Sequence, residues 1–174
     1  MKQEKPPKKQ LIKPEMLIAA FAILISISTL FVYIYQSNLM KQQQKMSVWP
    51  YLNYVPSWGQ DYFIVNLTNK GIGPAIIENV AITFDGKEIE GIEGIMKLVP
   101  DSIRGSYSFS TIPPGLVIMA GEALTLLDAK EPRAVAYIME NILTDKLYMA
   151  VCYSSVYGDS WVSYGLQVEE SRCR

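Results

Sequence analysis

The sequence predicts one transmembrane helix near the N-terminus, followed by a mainly β domain: an antiparallel sandwich or small barrel with one short helix. Residues 16–35 form a run of twenty residues without a charge. From residue 47 onward, short runs of alternating apolar and polar residues are separated by turn residues, which is typical of antiparallel strands. The 174 residues are 49% hydrophobic and 19% charged. This apolar excess is explained if one segment lies in a membrane.

Composition excludes several classes of function. The 16 Lys and Arg and 17 Asp and Glu give a net charge of -1, whereas phosphate contacts need a basic surplus. We therefore expect no nucleic-acid partner. The sequence contains no His, which excludes histidine-based triads and metal sites. Two cysteines do not make a zinc site by themselves.

The apolar run at residues 16–35 is predicted to span the lipid bilayer. Twenty helical residues cover about 30 Å, the hydrocarbon thickness of a bilayer. A buried helix of a soluble protein is one alternative, but uncharged runs of this length are rare there. A cleaved signal peptide is another, but its apolar core is shorter and ends at a small-residue cleavage site. We therefore expect an uncleaved anchor.

The lysines that flank the span predict its orientation. Two lysines follow it closely, Lys41 and Lys45, and five precede it: Lys2, Lys5, Lys8, Lys9 and Lys13. The more positive flank stays in the cytoplasm. Residues 1–15 are therefore predicted to be a cytoplasmic basic tail, and residues 47–174 a domain outside the cytoplasmic (inner) membrane. From residue 36 onward, 11 Lys and Arg stand against 15 Asp and Glu, so the outer part is acidic.

One face of the predicted span carries small and hydroxyl-bearing residues. Ala19, Ala22, Ser26 and Thr29 recur at alternating steps of three and four residues, and Tyr33 continues the series. Small residues let helices approach closely, and hydroxyls can bond across the contact. This seam predicts self-association or docking to a partner helix. Plain anchoring is the alternative, because Ala and Ser are common in any membrane anchor.

Residues 36–46 connect the span to the β domain. They are polar, contain neither Gly nor Pro, and are rich in helix formers. A juxtamembrane helix and a linker are both compatible with this composition.

The β domain is predicted from turn signals between short runs. Asp85-Gly86 and Gly158-Asp159 are typical of tight hairpins, in which Gly supplies a positive φ. A helix is predicted at 132–142, with Pro132 in its first turn. Short strands at this spacing favour a sandwich or a small barrel. The candidate strands are 47–54, 61–68, 75–84, 87–90, 106–111, 122–128, 146–156 and 160–168.

Residues 63–90 contain an ordered pattern of strand, Asn-x-Gly, strand and Asp-Gly-Lys. The matching positions are Asn69, Gly71, Ala75, Val80, Asp85, Gly86 and Lys87. This pattern resembles CARDB-like and other immunoglobulin-like sandwich modules. In addition, 49–51 (Trp-Pro-Tyr) and 73–75 (Gly-Pro-Ala) resemble bacterial single-pass membrane proteins with a small outer β-domain. The resemblance implies an immunoglobulin-like fold with a binding or spacing role, but fold alone does not fix function.

Three patterns in the sequence are candidates for chemical sites. The Lys-Gly-Ile-Gly-Pro stretch at 70–74 resembles a phosphate loop, but a strand rather than a helix follows it, so a structural turn is favoured. Four carboxylates lie between Asp85 and Glu93, the others being Glu88 and Glu90, but their spacing is not that of a calcium loop. A Ser–Lys pair with Lys97 or Lys146 as base has no supporting motif. We expect no catalytic residue, metal, cofactor or enzyme activity.

The two cysteines, Cys152 and Cys173, are candidates for a disulfide. A bridge would close a loop of about 20 residues and contribute roughly 3 kcal/mol in the loop-entropy model. If 160–168 is one strand, Cys173 lies about 26 Å from the residue opposite Cys152, and the chain must fold back near Glu169-Glu170. An intramolecular bridge, an intermolecular bridge and an unpaired thiol all stay open.

Aromatic residues concentrate in two stretches, 49–63 and 148–164. A partner surface is one interpretation, but we expect most of these rings in the core, because a sandwich needs large buried side chains.

Together these features predict a non-enzymatic, single-pass membrane protein that presents a β domain outside the membrane. It would bind or scaffold a protein partner in an envelope assembly. The alternative is a membrane effector that oligomerises through its transmembrane helix when the β domain senses a ligand.

Overall fold

The computed structural model describes residues 13–173. The chain divides into two compact units, one ending at Gln44 and the other beginning at Lys45. From Pro14 onward the first unit is helical, and the second contains the β domain.

Helix α1 runs without a break from Pro14 to Met46. None of the side chains in this helix is buried, and it is long and apolar enough to cross a membrane. It begins inside the predicted tail, because proline lacks an N–H that a first helical turn would leave unpaired. Residues 36–46 are helical rather than a linker. The remainder of the predicted tail, 1–12, lies outside the described residues.

The β domain is a sandwich of two antiparallel sheets rather than a closed barrel. The first sheet has the order β1 (Leu52–Trp58), β2 (Phe63–Asn69), β7 (Ala123–Ala129) and β5 (Tyr107–Phe109). The second has the order β10 (Gln167–Glu170), β9 (Ser160–Tyr164), β8 (Leu147–Ser154), β3 (Ala75–Phe84) and β4 (Lys87–Glu88). A short strand, β6 (Val117–Ile118), pairs with the start of β3.

The core lies between the sheets and is covered by short helices. Helices α2 (Gly91–Lys97) and α4 (Pro132–Tyr137), and the π-helical turn Ile138–Ile142 that continues α4, each bury apolar side chains in it. Helix α3 (Asp101–Arg104) has none buried. The largest fully buried side chains come from both sheets and from the helices: Leu52, Phe63, Leu67, Ile77, Ile82, Met96, Ile118, Leu126, Leu127, Ile138, Ile142 and Tyr153.

Strand β3 contains a bulge at Glu78. Ile77 lies opposite Tyr153 of β8, whereas Asn79 lies opposite Cys152, the preceding residue. Two residues of β3 therefore advance the pairing by one position, which is the definition of a bulge. The extra residue is Glu78, whose carboxylate accepts a hydrogen bond from the Ser154 hydroxyl at 2.6 Å.

Most predicted strands are present, with two instructive differences. β3 has the predicted bounds, and its hairpin to β4 turns at Asp85 and Gly86, which both have positive φ angles of 51° and 75°. β1 begins at Leu52 rather than at residue 47, because the residues before it hydrogen-bond to the loop after β2. The predicted helix 132–142 is present, but α2 and α3 were not predicted.

Candidate functional site

The seam residues of the predicted span lie along one side of α1. Ala19, Ala22, Ser26 and Thr29 are all exposed. The Ser26 hydroxyl donates to the Ala22 carbonyl at 2.8 Å, and the Thr29 hydroxyl donates to the Ile25 carbonyl at 2.8 Å. Because these protons are used within the helix, the hydroxyl oxygens retain only an acceptor role toward a neighbouring helix. The seam is thus better suited to close packing than to donating hydrogen bonds across a contact.

Cys152 and Cys173 are joined by a disulfide, with their Cα atoms 5.7 Å apart. The prediction that 160–168 forms a single strand is wrong, because this stretch is the hairpin of β9 and β10. The chain turns at Gly165, which has a φ of 80°. This reversal comes earlier than the predicted fold at Glu169-Glu170, and it returns the chain in time for Cys173 to reach β8.

A network around Asn69 joins the loop after β2 to the segment before β1. The Asn69 side chain is fully buried, at 0% exposure. Its oxygen accepts from the N–H groups of Tyr51 and Gly71, at 3.2 and 3.0 Å. Its nitrogen donates to the carbonyls of Gly73 and Ile118, at 2.8 and 2.9 Å. We call this network, with residues 48–51 and 69–74, the Asn69 junction.

Glycines let the two segments of the Asn69 junction touch. A Cβ at Gly73 would collide with the backbone of Val48, and one at Gly71 would collide with the backbone of Tyr51. The N–H of Ile72 donates to the carbonyl of Trp49 at 3.0 Å. Residues 70–74 are therefore a structural turn packed against another backbone, which supports that interpretation over a phosphate loop.

Two tyrosines link β1 to β8 across the sandwich. The Tyr153 hydroxyl accepts from the N–H of Leu52 at 3.2 Å, and the Tyr54 hydroxyl donates to the carbonyl of Met149. Burial raises the pKa of Tyr153 to about 12, and burial, assisted by Tyr148, raises the pKa of Tyr54 to about 12. Both hydroxyls therefore stay protonated and serve as structural hydrogen-bonding groups.

The expectation that most aromatic rings lie in the core is wrong. Within the described parts of the two aromatic stretches, Phe63 and Tyr153 are the fully buried rings. The core is built mainly from aliphatic side chains instead, which fill the space between the sheets. The exposed rings are Trp49, Trp58, Tyr62, Tyr148 and Tyr157.

A cleft of about 450 Å³ opens between β3, α2 and the segment that follows β5. This volume is within the range of ligand-binding pockets, about 300–1,000 Å³. Its apolar surface comes from Val80, Ile82, Ile92, Phe109, Ile112, Pro113 and Pro114. Its polar groups come from Asn79, Glu90, Glu93, Lys97, Ser110 and Thr111. We call this site the β3 cleft.

The charged groups of the β3 cleft are concentrated on α2 and the residue before it. Lys97 Nζ lies 3.8 Å from Glu93 Oε2, one helical turn away. Glu90 is exposed, and its charge is not matched by a second basic residue among the described residues that line the cleft. The rim therefore carries a small negative surplus.

The other candidate residues for chemistry lie mostly at exposed positions of the β domain. The carboxylates between Asp85 and Glu93 form no group that could hold a metal ion within residues 13–173. Lys97 contacts Glu93 at the rim of the β3 cleft, not a serine.

Reasoning from sequence missed the β3 cleft. Its residues are far apart in sequence, and α2 was not predicted at all. Two signals were present: Pro113-Pro114, which cannot donate to a sheet, and the polar pair Glu78-Asn79, which interrupts an apolar strand. Both mark places where sheet pairing is interrupted.

No family model and no curated protein matches this chain.

Proposed function

We propose that this protein is a non-enzymatic, single-pass protein of the cytoplasmic (inner) membrane, which presents an immunoglobulin-like binding or scaffolding domain on the outer side. The observation that carries the proposal is the pairing of α1, a helix long and apolar enough to span a membrane, with a β domain that has its own core. Such a domain needs no contribution from the helix to bury its apolar residues, so it can act as a tethered module.

Two further observations support the outer location of the β domain. Five lysines precede the apolar run and two follow it closely, and the more basic flank remains in the cytoplasm. The disulfide between Cys152 and Cys173 is the kind of bond that persists in oxidising compartments outside the cytoplasm.

Protease shaving of intact cells tests the orientation. We expect the β domain to be digested from outside, leaving a membrane-retained N-terminal fragment that ends near Met46. Protection in intact cells with digestion after lysis would refute the proposed topology.

Affinity purification of the tagged full chain tests the scaffolding role. We expect an envelope protein to be retained in an amount that is proportional to the amount of tagged chain.

A second proposal is an effector that oligomerises through α1 in response to a ligand of the β domain. The uninterrupted seam of small residues is the observation that favours it, since such stripes allow close helix packing. The test is a membrane dimerisation assay on Ala22→Leu with Ser26→Leu. The matched control is Ala20→Leu with Ser28→Leu, which makes the same changes on the opposite side of the helix. Loss of association in the first pair alone favours the effector, and equal signals in all three proteins refute it.

A further inference from the structure

We propose that the β3 cleft binds an extended peptide segment of a partner protein, which adds a short strand to β3. This inference rests on the proposed function of the domain as a binding module, and it assigns the site and the chemical class of the partner.

The first argument is an interruption in the pairing of β3. On one side, β8 accompanies β3 from Ile76 to Phe84. On the other side, β6 pairs with 75–76 and β4 pairs with 83–84. Ile77 bonds in addition to Leu116 and Gly115, and the carbonyl of Ile82 accepts from Ile89. Among the described residues, no strand pairs with 78–81 on this side, and we call this stretch the open edge.

The open edge presents backbone hydrogen-bonding groups to the β3 cleft. In an antiparallel strand, a residue that uses both backbone groups on one side alternates with a residue that uses them on the other. The carbonyl of Ile82 points toward β4, so the N–H and carbonyl of Val80 point to the same side, where the open edge has no strand partner. Val80 also lines the cleft. A peptide backbone lying there would bond to both groups, as in strand addition to a sheet edge.

The opposite wall explains why the chain does not fill this position itself. The segment 110–114 lines the cleft across from β3 and ends in Pro113 and Pro114. Proline has no N–H, so neither residue can donate to the open edge. The two prolines keep segment 110–114 from pairing with β3 as another strand, and the cleft remains between this segment and β3.

The length of the open edge selects the occupant. Four residues of strand span about 13 Å, and the flanking strands β6 and β4 block pairing beyond them. A full-length edge strand of a second copy would collide with those flanks, whereas a short extended segment fits between them. Other edges of the domain are protected by familiar devices: β1 contains Pro56, and β10 carries Glu169 and Glu170.

Side chains and charge refine the chemistry of the peptide. Alternate residues of an added strand would face the apolar surface made by Ile82, Ile92 and Ile112. The negative surplus at Glu90 favours a basic residue at a position that faces the rim. The predicted ligand is therefore an extended segment with alternating aliphatic residues and one Lys or Arg.

The test uses the full chain in detergent and three labelled pentapeptides, acetyl-Thr-Val-X-Val-Thr-amide, with X as Lys, Thr or Glu. Titration of each labelled peptide with the protein, followed by fluorescence polarisation, should give saturable binding with a dissociation constant below about 1 mM. The Lys peptide should bind at least about threefold more tightly than the Glu peptide. N-methylation of the one peptide amide that bonds to Val80 should weaken binding about tenfold or more, and N-methylation of the next amide should have little effect.

Protein variants locate the site. Glu90→Gln should remove the preference for the Lys peptide, while Glu169→Gln, on the far edge of the same sheet, should preserve it. N-methylation leaves the protein unchanged, so a loss of binding cannot arise from misfolding. Absence of binding by all three peptides, or equal effects of N-methylation at every amide, would overturn the inference. If no peptide binds in this way but affinity purification of the full chain still retains an envelope protein, the proposed function survives and only this site is wrong.

Discussion

The Asn69 junction and the β3 cleft flank the same strand and treat polar groups in opposite ways. At the junction, the buried amide of Asn69 uses both its oxygen and its nitrogen in four hydrogen bonds. At the cleft, Asn79 is exposed and the neighbouring backbone has a strand on one side only. The Asn69 amide makes all its hydrogen bonds within the domain, whereas the open edge has backbone groups that a partner could bind. The difference separates scaffold from candidate site without reference to any relative.

The largest expected effect is the loss of stability caused by Asn69→Ala. Asn69→Ala leaves two N–H and two carbonyl groups without their partner, each worth about 1–3 kcal/mol when buried. We expect the free energy of unfolding to fall by at least about 3 kcal/mol, measured by chemical denaturation of the full chain in detergent. Asn79→Ala, the matched control, should change it by less than about 0.5 kcal/mol. Similar losses for the two variants would show that the contrast is false.

Removal of the disulfide tests whether peptide binding at the β3 cleft depends on the bridge between Cys152 and Cys173. Cys152 lies opposite Asn79 on the neighbouring strand. Cys173→Ser should lower the free energy of unfolding by about 3 kcal/mol, the value for a loop of this length. Peptide affinity should change less than about twofold, because the open edge is set by β6 and β4. Ser171→Ala serves as the control, and a parallel loss of affinity and stability would contradict this independence.

Glycine substitutions test how closely the backbones approach at the junction. Gly73→Ala should destabilise the domain by about 1–3 kcal/mol, since its Cβ would meet the Val48 backbone and the chain must shift. Thr111→Ala, at the exposed rim of the cleft, should stay within about 0.5 kcal/mol of the parent. Thermal unfolding followed by circular dichroism would measure both, and a tolerant Gly73 would mean that the two segments are less tightly joined.

The smallest expected effect is alkaline destabilisation through Tyr153, which bonds to Leu52 beside the junction. Its pKa is raised by burial from 10.0 to about 12, so the folded state resists losing this proton. Its contribution to stability is therefore complete below pH 10 and is lost as the pH rises through about 12. Tyr153→Phe should cost about 1 kcal/mol at neutral pH and flatten the alkaline decline. Tyr157→Phe, at an exposed site, should leave the decline unchanged.

Local sequence patterns were sufficient for much of the architecture. The apolar run predicted the helix, although it begins at Pro14 and continues to Met46. Alternation and the Asp85-Gly86 turn predicted β3 and its hairpin, because both signals are contained within a few residues. Asn69 and Gly71 belong to the Asn-x-Gly pattern, but their role depends on residues 48–51, whose position no local sequence rule supplies.

What the sequence did not reveal arises from distant contacts. The β3 cleft requires α2, β3 and the segment after β5 to meet, and short helices of this kind have weak signals. The split of 160–168 into β9 and β10 was missed because both strands continue one alternating pattern through Gly165. The exposure of so many aromatic rings also depends on which face of each strand meets the core.

The bulge at Glu78 sets the phase of everything that follows it in β3. Ile77, Val80 and Ile82 all contribute to the interior or the β3 cleft, although the step from Ile77 to Val80 is three residues rather than two. If the same residues followed strict alternation with no bulge, Asn79 and Ala81 would face inward, and Val80 and Ile82 would face outward. The bulge therefore keeps apolar side chains facing inward on both sides of the polar pair Glu78-Asn79, which is exposed.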